Sequence, residues 1–230
     1  MHSYSSIKDF KQCPALYYEK RIAKSIPFVQ SPEAQRGERI HKAFEGYVGA
    51  GVPLPEELLR FEPLVYDLAQ MDGVKLTEHP MAVDHAGKFV PYHDPAVANP
   101  KPWNVNKAAM LGGIADLVAL NEAPVAIYID YKTGKGKYPD LEQCELMAYM
   151  IMAEHEWINR VDTGLLFVDA GKLIERSYLR AEMPEIIERW RVQVARIETA
   201  KATNVWQRKP NNLCGWCPVT HCPDWVDRNG

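Results

Sequence analysis

An apolar segment near the middle of the chain, "AIYIDYKTG", carries an aspartate and a lysine two residues apart. Residues two apart on a β-strand point to the same face, so Asp130 and Lys132 share one face of the predicted strand and Tyr131 lies on the other. Asp116 is on the preceding apolar segment, and it lies beside Asp130 if the two segments pair across the turn "NEAP". The sequence therefore predicts two carboxylates and an ammonium group at the ends of adjacent strands.

These residue types are suited to holding a divalent cation. Two carboxylates at neighbouring strand ends supply the oxygen ligands that Mg²⁺ and Mn²⁺ prefer. A lysine beside them can position or deprotonate a metal-bound water, or stabilise charge on a phosphoryl oxygen. In the loop that follows, Lys135, Lys137 and Tyr138 add three candidate contacts to phosphate groups. The alternative is that the aspartate–lysine pair is only a strand-end ion pair and the other aspartate a turn or edge residue.

The apolar periodicity predicts the strands and helices that must position this group. Strands are expected at 74–84, with a short return strand after the turn "HAG", and in two hairpins, one turning at "NEAP" and one at Ala170-Gly171. Helices, the first interrupted at Pro14, are expected at 4–22, 31–51, 53–71, 140–160 and 183–207. Because no repeat or linker divides the chain, we expect one domain, 1–230, of class α/β or α+β, with helices around a mixed sheet.

The composition excludes several classes of protein. No window approaches the ~20 consecutive apolar residues of a membrane helix, and the N-terminus lacks the apolar region of a secretory signal. We therefore expect a cytoplasmic protein, in the host cytoplasm if it is phage-encoded, without a membrane partner. A net charge of −3 does not mark a nucleic-acid binder. It does not exclude one either, because an enzyme needs only a local basic groove.

The five cysteines are unevenly distributed along the chain. Cys214, Cys217 and Cys222 follow the spacing C-x2-C-x4-C near the C-terminus, and Cys13 would supply a fourth thiolate. Zinc and a four-iron, four-sulfur (4Fe-4S) cluster both accept four thiolates. Four reduced free thiols are the remaining alternative. Cys144 stands apart and is expected to be a small core residue.

Several motifs, in this order, resemble those of the PD-(D/E)XK nuclease superfamily: "YSSIKDFKQCPALYYEKRI", "RGERIHKAFE", "GGIADLV", "AIYIDYKTG", "LEQCELMAYM" and "CGWCPVTHC". The similar branch is the RecB-like one, which includes CRISPR-associated RecB-type exonucleases and phage exonucleases. The resemblance implies a restriction-endonuclease-like fold with its catalytic core at about 33–182. It also implies that the N-terminal helix, 4–22, and the C-terminal region, 183–230, are stapled together by the cysteines.

The resemblance assigns roles to individual residues. It implies that His41, Asp116 and Asp130 are metal ligands for Mg²⁺ or Mn²⁺, with the backbone carbonyl of Tyr131 as an expected fourth. Lys132 matches the catalytic lysine. Taken alone, His41 would more simply be a partly buried helix histidine.

Other positions match the family's pattern less closely. Gln143 is implied to be a catalytic or DNA-facing residue, but Met147 stands where relatives carry a tyrosine, and the nearest tyrosine is Tyr149. Glu78 lies where relatives often keep a glutamate, with a solvated strand residue as the alternative. In the relatives the four cysteines hold a 4Fe-4S cluster, so that cluster is expected here, with zinc as the alternative. The candidate DNA contacts are Arg36, Lys135 and Lys137.

The function implied is that of a metal-dependent deoxyribonuclease. We expect an exonuclease acting on single-stranded DNA or DNA ends, in recombination, repair or phage DNA processing, with recombination or CRISPR-type proteins as candidate partners. A non-catalytic DNA-binding or scaffold subunit with the nuclease fold is the alternative of a different class. A nuclease acting on RNA or on a structured DNA junction is a further alternative. Nothing in the sequence reads a 2′-hydroxyl group, so the sequence does not distinguish RNA from DNA as the substrate.

Overall fold

The computed structural model of the chain describes residues 1–27, 29–101, 104–134, 136 and 139–226. The chain divides into two compact units. The sheet unit comprises Met1 and Gln30–Ile187, and the terminal unit comprises His2–Val29 and Glu188–Gly230. The predicted single domain with its core at 33–182 stays a prediction. Three of the predicted phosphate contacts lie outside the described residues: Lys135, Lys137 and Tyr138.

A six-stranded sheet organises the sheet unit. Its strands are β1 (Val74–Asp84), β2 (Phe89–Val90), β3 (Ala109–Leu120), β4 (Val125–Lys132), β5 (Arg160–Phe167) and β6 (Lys172–Leu179). They lie side by side in the order β2-β1-β3-β4-β5-β6, with β4 and β5 parallel and the other neighbours antiparallel. The predicted mixed sheet of the α/β class is therefore confirmed.

The described residues form six α-helices: α1 (Tyr4–Gln12), α2 (Pro14–Tyr17), α3 (Pro32–Ala50), α4 (Glu62–Gln70), α5 (Glu142–Glu154) and α6 (Met183–Thr203). The predicted interruption at Pro14 is present, and the first part of the predicted helix 53–71 is instead a 3-10 helix. The last helix ends at Thr203, four residues before the predicted Gln207. In the part of the chain that is described, no helix has both the length and the apolar character needed to cross a membrane.

Helix α3 begins where the sequence predicts because Ser31 caps it. The Ser31 side chain accepts a hydrogen bond from the Ala34 N–H, and Pro32 occupies the first turn. The apolar side of the helix packs on one face of the sheet and so fixes where the neighbouring His41 meets the strands. The buried core on this face consists of Ile40, Phe44, Val48, Leu54, Phe61, Val65, Leu117, Ile129, Tyr131, Leu166 and Val168.

Helix α5 covers the opposite face of the sheet. Asp130 of β4 bonds to a side chain of this helix, whereas its neighbours Ile129 and Tyr131 belong to the core beneath α3. Eight of the thirteen residues of α5 are buried, from Cys144 to Met152, because the helix links the parallel strands β4 and β5 across the sheet. The face of β4 that carries Asp130 is therefore covered by the helix that follows this strand in sequence.

The predicted helix 140–160 is wrong at its C-terminal end. Helix α5 ends at Glu154, and β5 begins at Arg160. The N–H groups of Asn159 and Arg160 both donate to the carbonyl of Pro124, which precedes β4. These hydrogen bonds align the start of β5 with the start of β4. The helix therefore has to end several residues before Arg160, so that the chain can reach this position in an extended conformation.

Candidate active site

Asp130 is a buried carboxylate at the end of β4. Its Oδ1 atom accepts hydrogen bonds from the Tyr128 hydroxyl, at 3.1 Å, and from Gln143 Nε2, at 2.7 Å. Its Oδ2 atom lies 2.7 Å from Lys132 Nζ in an ion pair but lacks a hydrogen bond of good geometry. The carboxylate thus keeps one oxygen whose lone pairs are not fully used.

Burial shapes the electrostatics of this carboxylate. Only 2% of Asp130 is exposed, and desolvation raises its pKa, with Lys132 opposing the rise and Asp116 adding to it. The hydroxyl of Tyr128 is fully enclosed beside it, and burial raises the pKa of that group well above its usual range. A cation near Asp130 would relieve the cost of holding an ionised carboxylate in this position.

Lys132 and Gln143 complete a small network around Asp130. The Lys132 ammonium donates to Gln143 Oε1 at 3.0 Å, and the amide of the same glutamine donates to the carboxylate. The lysine side chain is 37% exposed, so its charged end reaches solvent from the strand end. The structure therefore brings together the aspartate, the lysine and the glutamine that the sequence identifies as site residues.

Asp116 and His41 lie next to this network. The Asp116 carboxylate accepts a hydrogen bond from the backbone N–H of Tyr131 at 2.8 Å. Its other oxygen is 3.4 Å from His41 Nδ1, on helix α3. Burial lowers the pKa of His41, but the hydrogen bond and charge of Asp116 outweigh it and raise the pKa overall, with a backbone hydrogen bond to Tyr131 contributing. The predicted pairing of "GGIADLV" with "AIYIDYKTG" is confirmed by the β3–β4 register, in which Leu117 faces Ile129.

Glu78 of β1 joins His41 and Asp116, and one ligand atom from each of the three side chains lies within 4.8 Å of the others. Its backbone is left-handed, with φ at 47°, although the residues on either side pair regularly with β3. That conformation costs a non-glycine residue about 1–2 kcal/mol. Partial burial and the charges of Asp116 and Glu45 raise the pKa of Glu78.

The remaining predicted residues have other partners. Arg36 forms a two-pronged ion pair with Asp169, at 2.8 and 2.6 Å. The Tyr149 side chain is buried, and its hydroxyl donates to the carbonyl of Gly87. Cys144 is confirmed as a core residue, and burial raises the pKa of its thiol to about 12.

The other four cysteines lie in the terminal unit. Cys13, Cys214, Cys217 and Cys222 line the same pocket, and the backbone N–H of Asn211 donates to the Cys214 sulfur at 3.3 Å. Burial raises the pKa of the Cys217 thiol, and the other three thiols add to the rise. Among the described residues, the groups of three or more potential metal ligands whose ligand atoms all lie within 4.8 Å of one another contain no cysteine. The four sulfurs therefore share a pocket without forming one of these close groups.

Sequence reasoning left Glu78 undecided between a site residue and a solvated one. The signal that could have favoured the site is its place on β1, two strands from Lys132, where the sheet register sets it across from Asp116. That register involves residues far apart in sequence and was not predicted.

Comparison with known proteins gives a family match and similar folds. The family model of the PD-(D/E)XK nuclease superfamily matches residues 2–222. One similar solved structure is a "Putative exonuclease" from Eubacterium rectale, with a TM-score of 0.52 and 12% identity over 96% of this chain and 85% of that chain. Another is the protein SSO0001, with a TM-score of 0.45 and 15% identity over 96% of this chain and 86% of that chain. No curated protein matches the chain.

Proposed function

Because this chain belongs to the PD-(D/E)XK nuclease superfamily, we propose that it is a divalent-metal-dependent deoxyribonuclease that hydrolyses phosphodiester bonds. The observation that carries the proposal is the juxtaposition of two polar groups at the point where the pairing of β3 with β4 ends. One is the network of Asp130, Lys132 and Gln143, and the other is the close pair of His41 and Asp116. Acidic ligands, a cation and a polar amide beside one another on these two central strands are suited to phosphoryl chemistry.

The donor set fits Mg²⁺ or Mn²⁺. We assign the ligand role to His41, Asp116, Asp130 and the Tyr131 carbonyl, with Glu78 supporting the site. Carboxylate and carbonyl oxygens are the ligands that both ions prefer, and the Asp130 oxygen without a good hydrogen bond is available for one. When bound, such an ion polarises the phosphate and lowers the pKa of bound water.

The chain's own residues position the reacting groups. Lys132 is held between a carboxylate and an amide oxygen, so its ammonium points along a fixed direction at the strand end. From there it can orient the attacking water or stabilise negative charge on a phosphate oxygen. Gln143 ties Lys132 to Asp130 and so keeps both at a set spacing.

The exonuclease role, on single-stranded DNA or DNA ends, is proposed from the RecB-like motifs. It agrees with the name of the Eubacterium rectale protein, although a likeness at 12% identity indicates the fold alone. Recombination, repair or phage DNA processing would be the setting, with recombination or CRISPR-type proteins as partners. DNA as substrate, together with reduced cysteines, favours the cytoplasm as the location.

We also propose that Cys13, Cys214, Cys217 and Cys222 hold a 4Fe-4S cluster, with zinc as the competing metal. The four side chains line one pocket in the terminal unit. A backbone N–H already donates to the Cys214 sulfur, and hydrogen bonds of this kind are common at thiolates that ligate iron. When bound, the cluster would link α1 and α2 to the C-terminal tail.

A cleavage assay tests the proposed activity. End-labelled single-stranded DNA, end-labelled duplex DNA and a closed single-stranded circle are incubated with Mg²⁺, Mn²⁺ or EDTA. We expect metal-dependent release of terminal nucleotides from the linear strands and an intact circle. Cleavage of the circle would make the enzyme an endonuclease, and cleavage of labelled RNA alone would reassign the substrate. If no substrate is cut with either metal, the non-catalytic DNA-binding alternative is favoured.

A further inference from the structure

Strand β1 supplies neighbouring residues to opposite faces of the sheet. Glu78 meets His41 and Asp116 on the side of α3, whereas His79 meets Glu154, the last residue of α5. His155, which follows directly, completes a second group whose ligand atoms lie within 4.8 Å of one another. This group lies on the α5 side of the sheet, apart from His41, Asp116 and Glu78, and takes no part in the proposed reaction.

The distances within the second group suit a small metal ion. His79 Nε2 is 2.9 Å from Glu154 Oε2, and His155 Nε2 is 4.0 Å from the same oxygen. Ligand atoms on a tetrahedral zinc ion, at about 2.0–2.1 Å from the metal, are separated by roughly 3.4 Å. Both distances lie within about 0.6 Å of that spacing, so side-chain adjustments alone would place the atoms around one ion.

One atom of the group has no partner of its own. His155 Nε2 is buried and makes no hydrogen bond, and the 4.0 Å to Glu154 is too long for one. Buried polar atoms in folded proteins are nearly always paired, so an unpaired imidazole nitrogen 4.0 Å from a carboxylate oxygen calls for an explanation. A cation between the two would satisfy both.

The segment that carries His155 is held in place by Arg180. The guanidinium donates to the carbonyl oxygens of Met152, His155 and Ile158, at 2.7–2.8 Å. His79 is equally fixed, because β1 pairs with β3 on both sides of it. Metal ligands that the fold already holds near their positions bind with little loss of side-chain freedom.

We propose that His79, Glu154 and His155 form a zinc site separate from the catalytic centre. Two imidazoles and one carboxylate are the ligand set of many zinc sites with an open fourth position. Imidazole nitrogen is a better ligand for zinc than for the hard ions Mg²⁺ and Ca²⁺, which prefer oxygen. Bound zinc would tie the end of α5 to β1 and so stabilise the sheet unit.

The test is a zinc titration of the full chain labelled with ¹⁵N in its histidine rings. The chain has seven histidines, and His79→Gln and His155→Gln identify the two ring signals in question. In the wild type, both signals should shift together and saturate at one equivalent of zinc. Glu154→Gln should weaken binding at this site by at least tenfold, and His85→Gln, on an exposed turn, should leave it unchanged.

Other outcomes separate this site from the catalytic one. The double variant His41→Gln, Asp116→Asn should keep the zinc response of His79 and His155, whether or not the wild type cuts DNA. Zinc should also raise the melting temperature of the wild type by more than it raises that of Glu154→Gln. The proposal is overturned if the two ring signals do not move with zinc, or if Glu154→Gln binds as tightly as the wild type.

Discussion

Asp130 combines features that a purely structural residue would avoid. It is a carboxylate with 2% exposure, and burial raises its pKa, so the folded chain is less stable for holding it ionised. Its partners are a lysine that reaches solvent and a glutamine amide. Buried charges that cost stability are common at active sites, because the same low dielectric strengthens their interaction with a substrate or ion.

Asp130→Asn should separate activity from stability. We expect cleavage to fall by about 10²–10³-fold or more, because a metal ligand and the partner of Lys132 are lost together. The free energy of unfolding of the metal-free protein should stay equal or rise, since a buried charge is removed. Activity is measured on end-labelled DNA and stability by urea denaturation, with Asp72→Asn, on an exposed bend, as the control. Wild-type cleavage by Asp130→Asn would show that the site assignment is wrong.

His41 should set the preference between metals. Imidazole is a softer ligand than carboxylate or water, and it therefore suits Mn²⁺ better than Mg²⁺. We expect the wild type to cleave faster with Mn²⁺, and His41→Ala to lose that preference. The measurement is the ratio of initial rates in the two metals, with His85→Ala as the control. Equal rates in both metals, unaltered by the mutation, would return His41 to a structural role.

At the scale of elements, close backbone contacts fix the strands that carry the site. Gly73 lies at the start of β1 with φ at 100°, and a Cβ atom there would sit 2.1 Å from the carbonyl oxygen of Leu120. Leu120 in turn pairs with Val74 and with Ala126. One glycine thus allows β1, β3 and β4 to come into register where Val74, Leu120 and Ala126 lie side by side.

Gly73→Ala should therefore destabilise the chain by at least about 2 kcal/mol, from left-handed strain together with the backbone clash. Gly51→Ala is the matched control, because Gly51 also has a positive φ, 66°, but an added Cβ would meet no atom within 4 Å. Its loss of stability should be limited to the backbone strain, about 1–2 kcal/mol. Urea denaturation of both variants gives the comparison. Equal losses would mean that the contact with Leu120 relaxes at little cost.

The ion pair between Arg36 and Asp169 joins α3 to the turn after β5. The Arg36 guanidinium holds the pKa of Asp169 below its usual range, so its contribution to stability is present above the unfolded pKa and is lost as pH falls through the folded one. Because about a third of each side chain is exposed, solvent screening keeps the contribution below about 1 kcal/mol.

Arg36→Gln should lower the free energy of unfolding by less than about 1 kcal/mol at pH 7. The difference in stability between this variant and the wild type should vanish in strong acid. Arg39→Gln, at an exposed position on the same helix, is the control. If Arg36 contacts DNA as predicted, Arg36→Gln should also weaken DNA binding more than Arg39→Gln does. Equal binding by the two variants would leave Arg36 with its structural role alone.

At the scale of the molecule, the chemistry and the cysteines lie in different compact units. The candidate catalytic residues belong to the sheet unit, whereas Cys13, Cys214, Cys217 and Cys222 belong to the terminal unit, which both ends of the chain build. A metal held there would add its binding free energy to the folding of that unit. Loss of the metal from the cysteines should therefore lower the stability of the terminal unit before it alters the arrangement of the candidate catalytic residues in the sheet unit.

Anaerobically purified protein should be brown and contain about four iron atoms per chain, as expected for a 4Fe-4S cluster. Cys217→Ser should lose the iron and the visible absorbance and melt at a lower temperature. Cys144→Ala should keep them, because the thiol of Cys144 is buried in the sheet unit. Colourless protein with one zinc per chain would identify the competing metal, and protein with neither metal would overturn the proposed cluster.

The sequence by itself determined the features that depend on local periodicity. Side chains on a strand alternate, so the placement of Asp130 and Lys132 on one face followed from their spacing alone. The capping of α3 by Ser31 and the break at Pro14 were likewise readable, because each depends on residues within one turn. The order of the motifs indicated the superfamily that the family match shows.

Only the tertiary structure decided which distant side chains meet. Glu78 joins His41 because β1 pairs with β3 in one register and takes a left-handed backbone at that residue. Arg36, expected to contact DNA, pairs with Asp169, and His79 meets the end of α5. Strand register and helix docking are set by packing among residues far apart in sequence, and no local pattern specifies them.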